Sequence, residues 1–130
     1  MSVFIEIDDK KREVLNLKYC LHQETDVEGR PTSVTRGGKI TVTVKSLNDG
    51  SNDLFAFACD PFGRKDGKVE FQRRDGSNMK TLEFKDAYMV DYEEVYDSVN
   101  AEPQIETFTV SAKKITIKDQ FHENTWADGA

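Results

Sequence analysis

The sequence predicts a mainly β protein: a small antiparallel β-barrel or two-sheet sandwich, with one short α-helix on its side and a long loop between two strands. Three observations carry this. Apolar and polar residues alternate with a period of two through most of the chain, the pattern of half-buried strands. One apolar run escapes the alternation, Leu54 to Cys59, and it lies between capping residues and Pro61, as a short helix does. In the last long strand the alternation changes phase, which within one strand means a bend or bulge of the kind that turns a barrel corner.

At 130 residues the chain is a single domain, residues 1–130, with room for a modest core. A hydrophobic fraction of 37% against 32% charged residues leaves much of the chain facing water. The formal net charge of −6 argues against nucleic acid and against an anionic membrane as partners, since both favour basic patches. No apolar run approaches the roughly eighteen residues that span a bilayer, and Met1 to Asp9 lacks the basic start and apolar stretch of a cleaved signal. The expected setting is folding in the cytoplasm, with any export by a route that does not read such a signal.

Val3, Ile5 and Ile7 alternate with Phe4 and Glu6 and open the chain with a short strand. Asp8 to Lys11 is a polar turn, where adjacent Asp residues cap the bend; nothing apolar surrounds them to raise a carboxyl pKa for catalysis. The second strand, residues 13–22, is expected to turn Leu15, Leu17, Tyr19 and Leu21 inward and Asn16, Lys18, Cys20 and His22 outward. From Gln23 to Gly38 there follow charges, turn formers and only two Val. Hairpin loops rarely exceed about five residues, so a connection this long, with so little to anchor it at home, is expected to dock on something else.

Alternation resumes over residues 39–46, and Leu47 to Gly50 forms a turn. Ser51, Asn52 and Asp53 are candidate N-caps for a helix over Asn52 to Asp60. That helix is apolar on every side, so one side is expected on its own sheet and the other against a barrel end or a neighbouring subunit. Val69 and Phe71 point inward from a strand over residues 68–73, and Asp75-Gly76 marks a hairpin turn. Leu82, Phe84, Tyr88, Val90 and Tyr92 share one face of a long strand; Asp86 falls on that face out of character and predicts a bulge near Asp86-Ala87. Asp91 to Asp97 is expected as a solvated strand end, and residues 98–103 as a loop. In the strand over residues 104–118, Phe108, Val110 and Ala112 share one face while Ile115 and Ile117 take the other, which places a bend near Lys113-Lys114. Residues 119–130 read as a polar tail apart from Phe121 and Trp126.

No dinucleotide, phosphate-loop, C-x-x-C or H-E-x-x-H pattern occurs. His22 and His122 are the only histidines, and His122-Glu123 has no second histidine at helical spacing to complete a metal site. The expectation is no catalytic residue, no cofactor and no metal, hence no enzyme. Cys20 and Cys59 read as reduced structural thiols. The polar faces of two strands, Lys39, Thr41, Thr43 and Lys45 with Thr107, Thr109, Ser111 and Lys113, are rich in β-forming Thr. An ordinary solvent face explains them adequately.

Leu21-His22-Gln23-Glu24-Thr25-Asp26, Gly29-Arg30-Pro31 and Ser33-Val34-Thr35-Arg36-Gly37-Gly38-Lys39-Ile40 resemble the haemolysin-coregulated protein (Hcp) family of type VI secretion tube proteins, in its divergent branch. Further along, Lys65-Asp66-Gly67, Phe84-Lys85-Asp86-Ala87-Tyr88, the run from Glu106 to Ile115, and His122-Glu123-Asn124-Thr125-Trp126 extend the resemblance over nearly the whole chain. The resemblance implies a small barrel that forms hexameric rings, stacks them into a tube, and is fired by a contractile sheath. It implies that Gln23 to Lys39 is the extended loop reaching neighbouring subunits and the next ring. On that footing Glu24, Asp26, Glu28, Arg30, Pro31, Thr35 and Arg36 are interface candidates, as are Phe55 and Cys59 on the side helix. The Lys and Thr faces named above become lumen candidates. Implied partners are other copies, sheath, spike and baseplate components, and small effector proteins in the lumen; the implied localisation is assembly in the cytoplasm followed by secretion. The alternatives are a phage-type tail-tube protein, or a monomeric barrel with a small apolar ligand inside.

Overall fold

The computed structural model describes residues 1–47, 49–99 and 103–126. In chain order the described residues form β1 (Ser2–Ile7), β2 (Lys10–Tyr19), β3 (Lys39–Lys45), α1 (Asp53–Cys59), β4 (Lys65–Gln72), β5 (Asn78–Tyr96), β6 (Gln104–Ile117) and β7 (Gln120–Glu123). All pairings are antiparallel, in the order β3-β2-β1-β4-β5-β6-β7, and a further pairing of β3 with β6 closes the first six strands into a barrel. The mainly β class, the closed barrel and the single short helix agree with the sequence. The residues expected to form a polar tail instead begin with β7, which pairs with β6 from Lys114 to Ile117. Part of the expected loop at 98–103 and the end of the tail lie outside the described residues.

The barrel interior is filled side chain on side chain by Ile5, Ile40, Val42, Val44, Val69, Leu82, Phe84, Phe108 and Val110, all essentially without solvent contact. This leaves no hollow there for the small apolar ligand of the third reading. Leu54 and Phe57 of α1 add to the same core. The helix starts behind Asn52 as expected, but no side chain caps it; the Ala56 N–H bonds the Asn52 carbonyl at 2.8 Å, and Asp53 is drawn elsewhere.

Bulges decide which residues face inward. Along β2, Val14 opposes Val44 and Asn16 opposes Thr43, so Leu15 is an extra residue with no partner. The alternation resets there: Leu17 and Tyr19 turn inward, whereas Leu15 and Leu21, expected inside, are exposed. Along β5 the pairing with β4 passes from Phe84↔Gly67 to Ala87↔Lys65, one residue too many at Lys85-Asp86. This is the bulge the sequence predicted, with Asp86 at φ 53° and its N–H held by Asp66 Oδ1 at 2.9 Å. The bulge shifts the phase of the strand, so that Ala87 and Met89 are the inward residues in place of the expected Tyr88 and Val90. A second bulge between Met89 and Asp91 leaves Val90 outside, 55% exposed, and returns Tyr92 to the inner face. The change of phase in β6 falls between Ala112 and Ile115, as expected.

Among the described residues two charged side chains are buried, Arg12 at 3% and Glu106 at 6% exposure. Arg12 on β2 donates two hydrogen bonds to Asp53 of α1, at 2.6 and 3.0 Å, and its Nε lies 4.0 Å from Glu106 Oε1 on β6. The Tyr92 hydroxyl on β5 donates to Glu106 Oε2 at 2.7 Å. The helix is thereby tied to β2, β5 and β6 through one charged chain. Burial opposes the charge of Asp53, but the hydrogen bonds and charge of Arg12 outweigh it and hold the carboxyl below the usual 3.8. Burial, and then the bond to Glu106, push the Tyr92 phenol up.

Removing one partner of a buried, bonded pair is costly, because the other charge stays buried and alone. Arg12→Ala is expected to lower the unfolding free energy by about 3–5 kcal/mol, measured by urea titration. A folded-state pKa below the unfolded one stabilises fully above the unfolded value and is lost as pH falls through the folded value. The urea midpoint is therefore expected to drop as pH falls below 3.8, and in Asp53→Asn that dependence is expected to be weaker.

Candidate functional site

Residues 20–38, between β2 and β3, form an arm whose charged and apolar side chains are largely exposed; Val27 at its tip is 104% exposed. The arm is not a slack loop. His22 and Arg36 exchange backbone hydrogen bonds at 2.8 and 2.6 Å, the Thr32 N–H bonds the Glu24 carbonyl at 2.7 Å, and the Asp26 N–H bonds the Arg30 carbonyl at 2.9 Å. At the tip, Asp26 Oδ1 accepts the N–H groups of Glu28 and Arg30 at 2.9 and 3.0 Å, the side-chain-to-backbone turn that Asp favours. The Arg30 N–H foremost, against the opposing effect of burial and with help from the Glu28 N–H and the Arg30 side chain, holds the Asp26 carboxyl below its usual range. The arm is a narrow hairpin held by bonds within its own backbone, and its base is bonded to the barrel through Gly38.

That self-sufficiency changes the expected role of its charges. Arg30 already pairs with Asp26 at 3.1 Å and Glu28 at 3.3 Å, and Glu24 meets His22 at 3.1 Å. Pro31 opposes Thr25 in a bridge, Arg36 opposes His22, and Thr35 is exposed beside it. Phe55 and Cys59 lie on the outer side of α1, Phe55 being 58% exposed and its ring in a T-shaped contact with Tyr92, centroids 6.3 Å apart. Arm and helix sit at opposite ends of β2, since α1 is bonded to Arg12 near the start of that strand. The interface candidates thus form two separate surfaces. Cys20 and Cys59 are both free and exposed.

The lumen candidates share the outer face of a four-stranded sheet, β2-β3-β6-β5. Register sets them in cross-strand rows. Lys18, Thr41, Thr109 and Asp91 form one row; Asn16, Thr43, Thr107 and Glu93 form the next. Thr41 and Thr109 share a hydroxyl hydrogen bond at 3.0 Å, as do Thr43 and Thr107. Lys39 opposes Ser111, Lys45 pairs with Glu13 at 2.9 Å, and Lys113 lies at the change of phase.

The same sheet carries two unpaired edges. β4 runs out at Lys65, opposite Ala87, so among the described residues β5 is paired only on its β6 side from Tyr88 to Tyr96. β1 pairs with β2 only as far as Glu13, which leaves Asn16 to Tyr19 paired on the β3 side alone. Unpaired strand edges invite another strand. Sequence reasoning missed both edges, because they depend on where a neighbouring strand stops.

A sequence model of the family described as Hemolysin coregulated protein Hcp (TssD) matches residues 1–127. The chain belongs to the Hcp family. It is a structural subunit of the type VI secretion tube. Among solved structures, Hcp1 from Flavobacterium johnsoniae is 42% identical over 95% of this chain and 100% of its own, with a TM-score of 0.89. Hcp1 from the E. coli EAEC 042 pathovar shares the Hcp fold at 16% identity, covering 97% of this chain and 99% of its own, TM-score 0.77. An extracellular contractile injection system, the PVC sheath-tube complex in its extended state, contains a chain of similar fold at 15% identity, covering 89% and 87%, TM-score 0.55. No curated protein matches the sequence. No helix among the described residues is long and apolar enough to cross a membrane.

Asp26→Ala removes both side-chain-to-backbone bonds at the arm tip, and the pair with the Arg30 guanidinium. Amide hydrogen exchange at Glu28 and Arg30 is expected to speed up by about tenfold, the equivalent of one or two ordinary hydrogen bonds, while the melting temperature holds.

Proposed function

We propose that copies of this chain join edge to edge, the β5 edge of one against the β2 edge of the next, with the Thr-rich face lining the lumen and the arm reaching the neighbouring ring. A ring needs one surface to meet a different one, and the two unpaired edges are different surfaces of the same sheet. Their charges also complement each other: each cross-strand row runs from Lys18 or Asn16 at the β2 edge to Asp91 or Glu93 at the β5 edge. Head to tail, Lys18 approaches the acids of the next copy. Six copies, the number the family implies, would line a channel with about 24 strands at about 4.8 Å spacing. That gives a backbone diameter of about 37 Å before strand tilt widens it, room for a small folded effector. The hydroxyl pairs of the wall bond each other and offer cargo a wet surface, with apolar side chains toward the row of Ile105 and Val95.

The observation that carries this reading is the pair of unmatched edges, at β2 and at β5, on either side of the four strands that hold the Thr rows. The role is structural rather than catalytic. Assembly in the cytoplasm and outward delivery with the tube complete the reading, with sheath, spike and baseplate components as outside partners.

Negative-stain microscopy of the purified protein is expected to show annuli; a strictly monomeric species at high concentration would overturn the proposal. Shortening residues 23–36 is expected to leave the barrel folded and weaken assembly. Lys18→Glu and the pair Asp91→Lys with Glu93→Lys are each expected to weaken rings in native mass spectrometry, and mixing the two variants is expected to restore rings in which they alternate, because both joints between unlike copies pair opposite charges.

A further inference from the structure

The arm is bound to the barrel through a narrow base. The last pair of β2 with β3 is Tyr19↔Ile40, and the first pair within the arm is His22↔Arg36. Between them lie Cys20 and Leu21 on one side and Gly37 and Gly38 on the other, just before β3 begins. Two adjacent glycines at the root of a projecting hairpin would leave its direction free. Yet both are crowded. A Cβ on Gly38, whose φ is 98°, would stand 2.5 Å from the Ala112 carbonyl oxygen and 2.8 Å from Asn124 Nδ2; one on Gly37 would stand 2.5 Å from Leu21 Cδ2.

At Gly38 part of the crowding comes from Asn124, immediately beyond β7. Its side-chain amide donates to the Gly37 carbonyl at 2.9 Å and to the Ala112 carbonyl at 3.2 Å, while the Ala112 N–H donates to the Gly38 carbonyl at 2.7 Å. Asn124 is itself fixed: its N–H bonds the Lys113 carbonyl at 2.7 Å and its Oδ1 faces His122 Nε2 at 3.1 Å. Two residues on, Trp126 packs on Tyr88 at 5.3 Å with the Arg64 guanidinium over both rings. The clamp thus sits where β6 exchanges β3 for β7 as its partner, and β7 on one side and Trp126 on the other hold it in place.

We propose that Asn124 is a positioning residue that sets the direction of the arm, so that the C-terminal segment His122 to Trp126 governs how one ring presents its arms to the next. This rests on the arm being the element that reaches a second ring. Gly38 supplies room for the amide, and the amide, bonded to the Gly37 carbonyl, removes the freedom the two glycines would otherwise give.

The test uses the full chain with Cys20→Ser and Cys59→Ser, spin labels at Val27→Cys and Glu83→Cys, and labelled subunits diluted into unlabelled ones. In the parent a single narrow distance is expected. In Asn124→Ala the distribution is expected to broaden by about twofold and stacked rings to fall about tenfold by microscopy, with ring formation and melting temperature held. Asn124→Asp keeps the shape but, ionised, cannot donate, and is expected to behave likewise; it stands in should the Ala variant fail to fold. A distribution that stays narrow in the folded variants overturns the proposal, as does a loss of rings and melting temperature in step with stacking, which would make Asn124 merely structural. Should the parent form neither rings nor stacks, the tube reading fails, and the label distance alone decides the clamp.

Discussion

Strand β6 is the member on which the architecture depends. It pairs with β5 along most of its length, with β3 from Ile105 to Ser111 and with β7 from Lys114 to Ile117. The β3 pairing closes the barrel; without it the other strands would form an open sheet with a bare edge at β3. A single strand can serve these partners because its alternation breaks between Ala112 and Ile115, so that it bends from the sheet it shares with β3 toward β7. The same break leaves the Ala112 carbonyl facing the base of the arm.

Much of this was legible in the sequence. The alternation marked every long strand, Pro61 and its apolar run marked the helix, and Asp86 announced a bulge because a charged residue stood on an otherwise apolar face. What escaped were the silent bulges. Leu15 and Val90 are apolar residues in apolar alternation, and nothing local distinguishes an inward Leu from one extruded between two inward neighbours. The difference lies in the partner strand, where Val44 and Thr43 leave no residue to oppose Leu15. β7 escaped for the opposite reason, since four residues with little apolar pattern carry too weak a period to read.

The buried charges were half visible. Glu106 sits in phase with Phe108, Val110 and Ala112, so its inward direction follows from the sequence even though its chemistry argues for the surface. Arg12 is in phase with Val14 before the bulge. What the sequence does not contain is the meeting of these residues with Asp53, 41 positions from Arg12 along the chain, and such a pairing makes the burial of each tolerable. The interface residues divide in the same way. Composition singled out the arm, while the unpaired edges of β2 and β5 emerge only once the lengths of β1 and β4 are known.

The arm's internal hydrogen bonds have a thermodynamic corollary. A segment that orders only on contact must surrender its chain entropy at that moment, at the expense of affinity. Here Asp26, Arg30 and the His22–Arg36 bridge have already frozen the hairpin in the lone subunit. A receiving surface therefore meets a shaped, stiff projection, and docking costs little beyond bringing two bodies together.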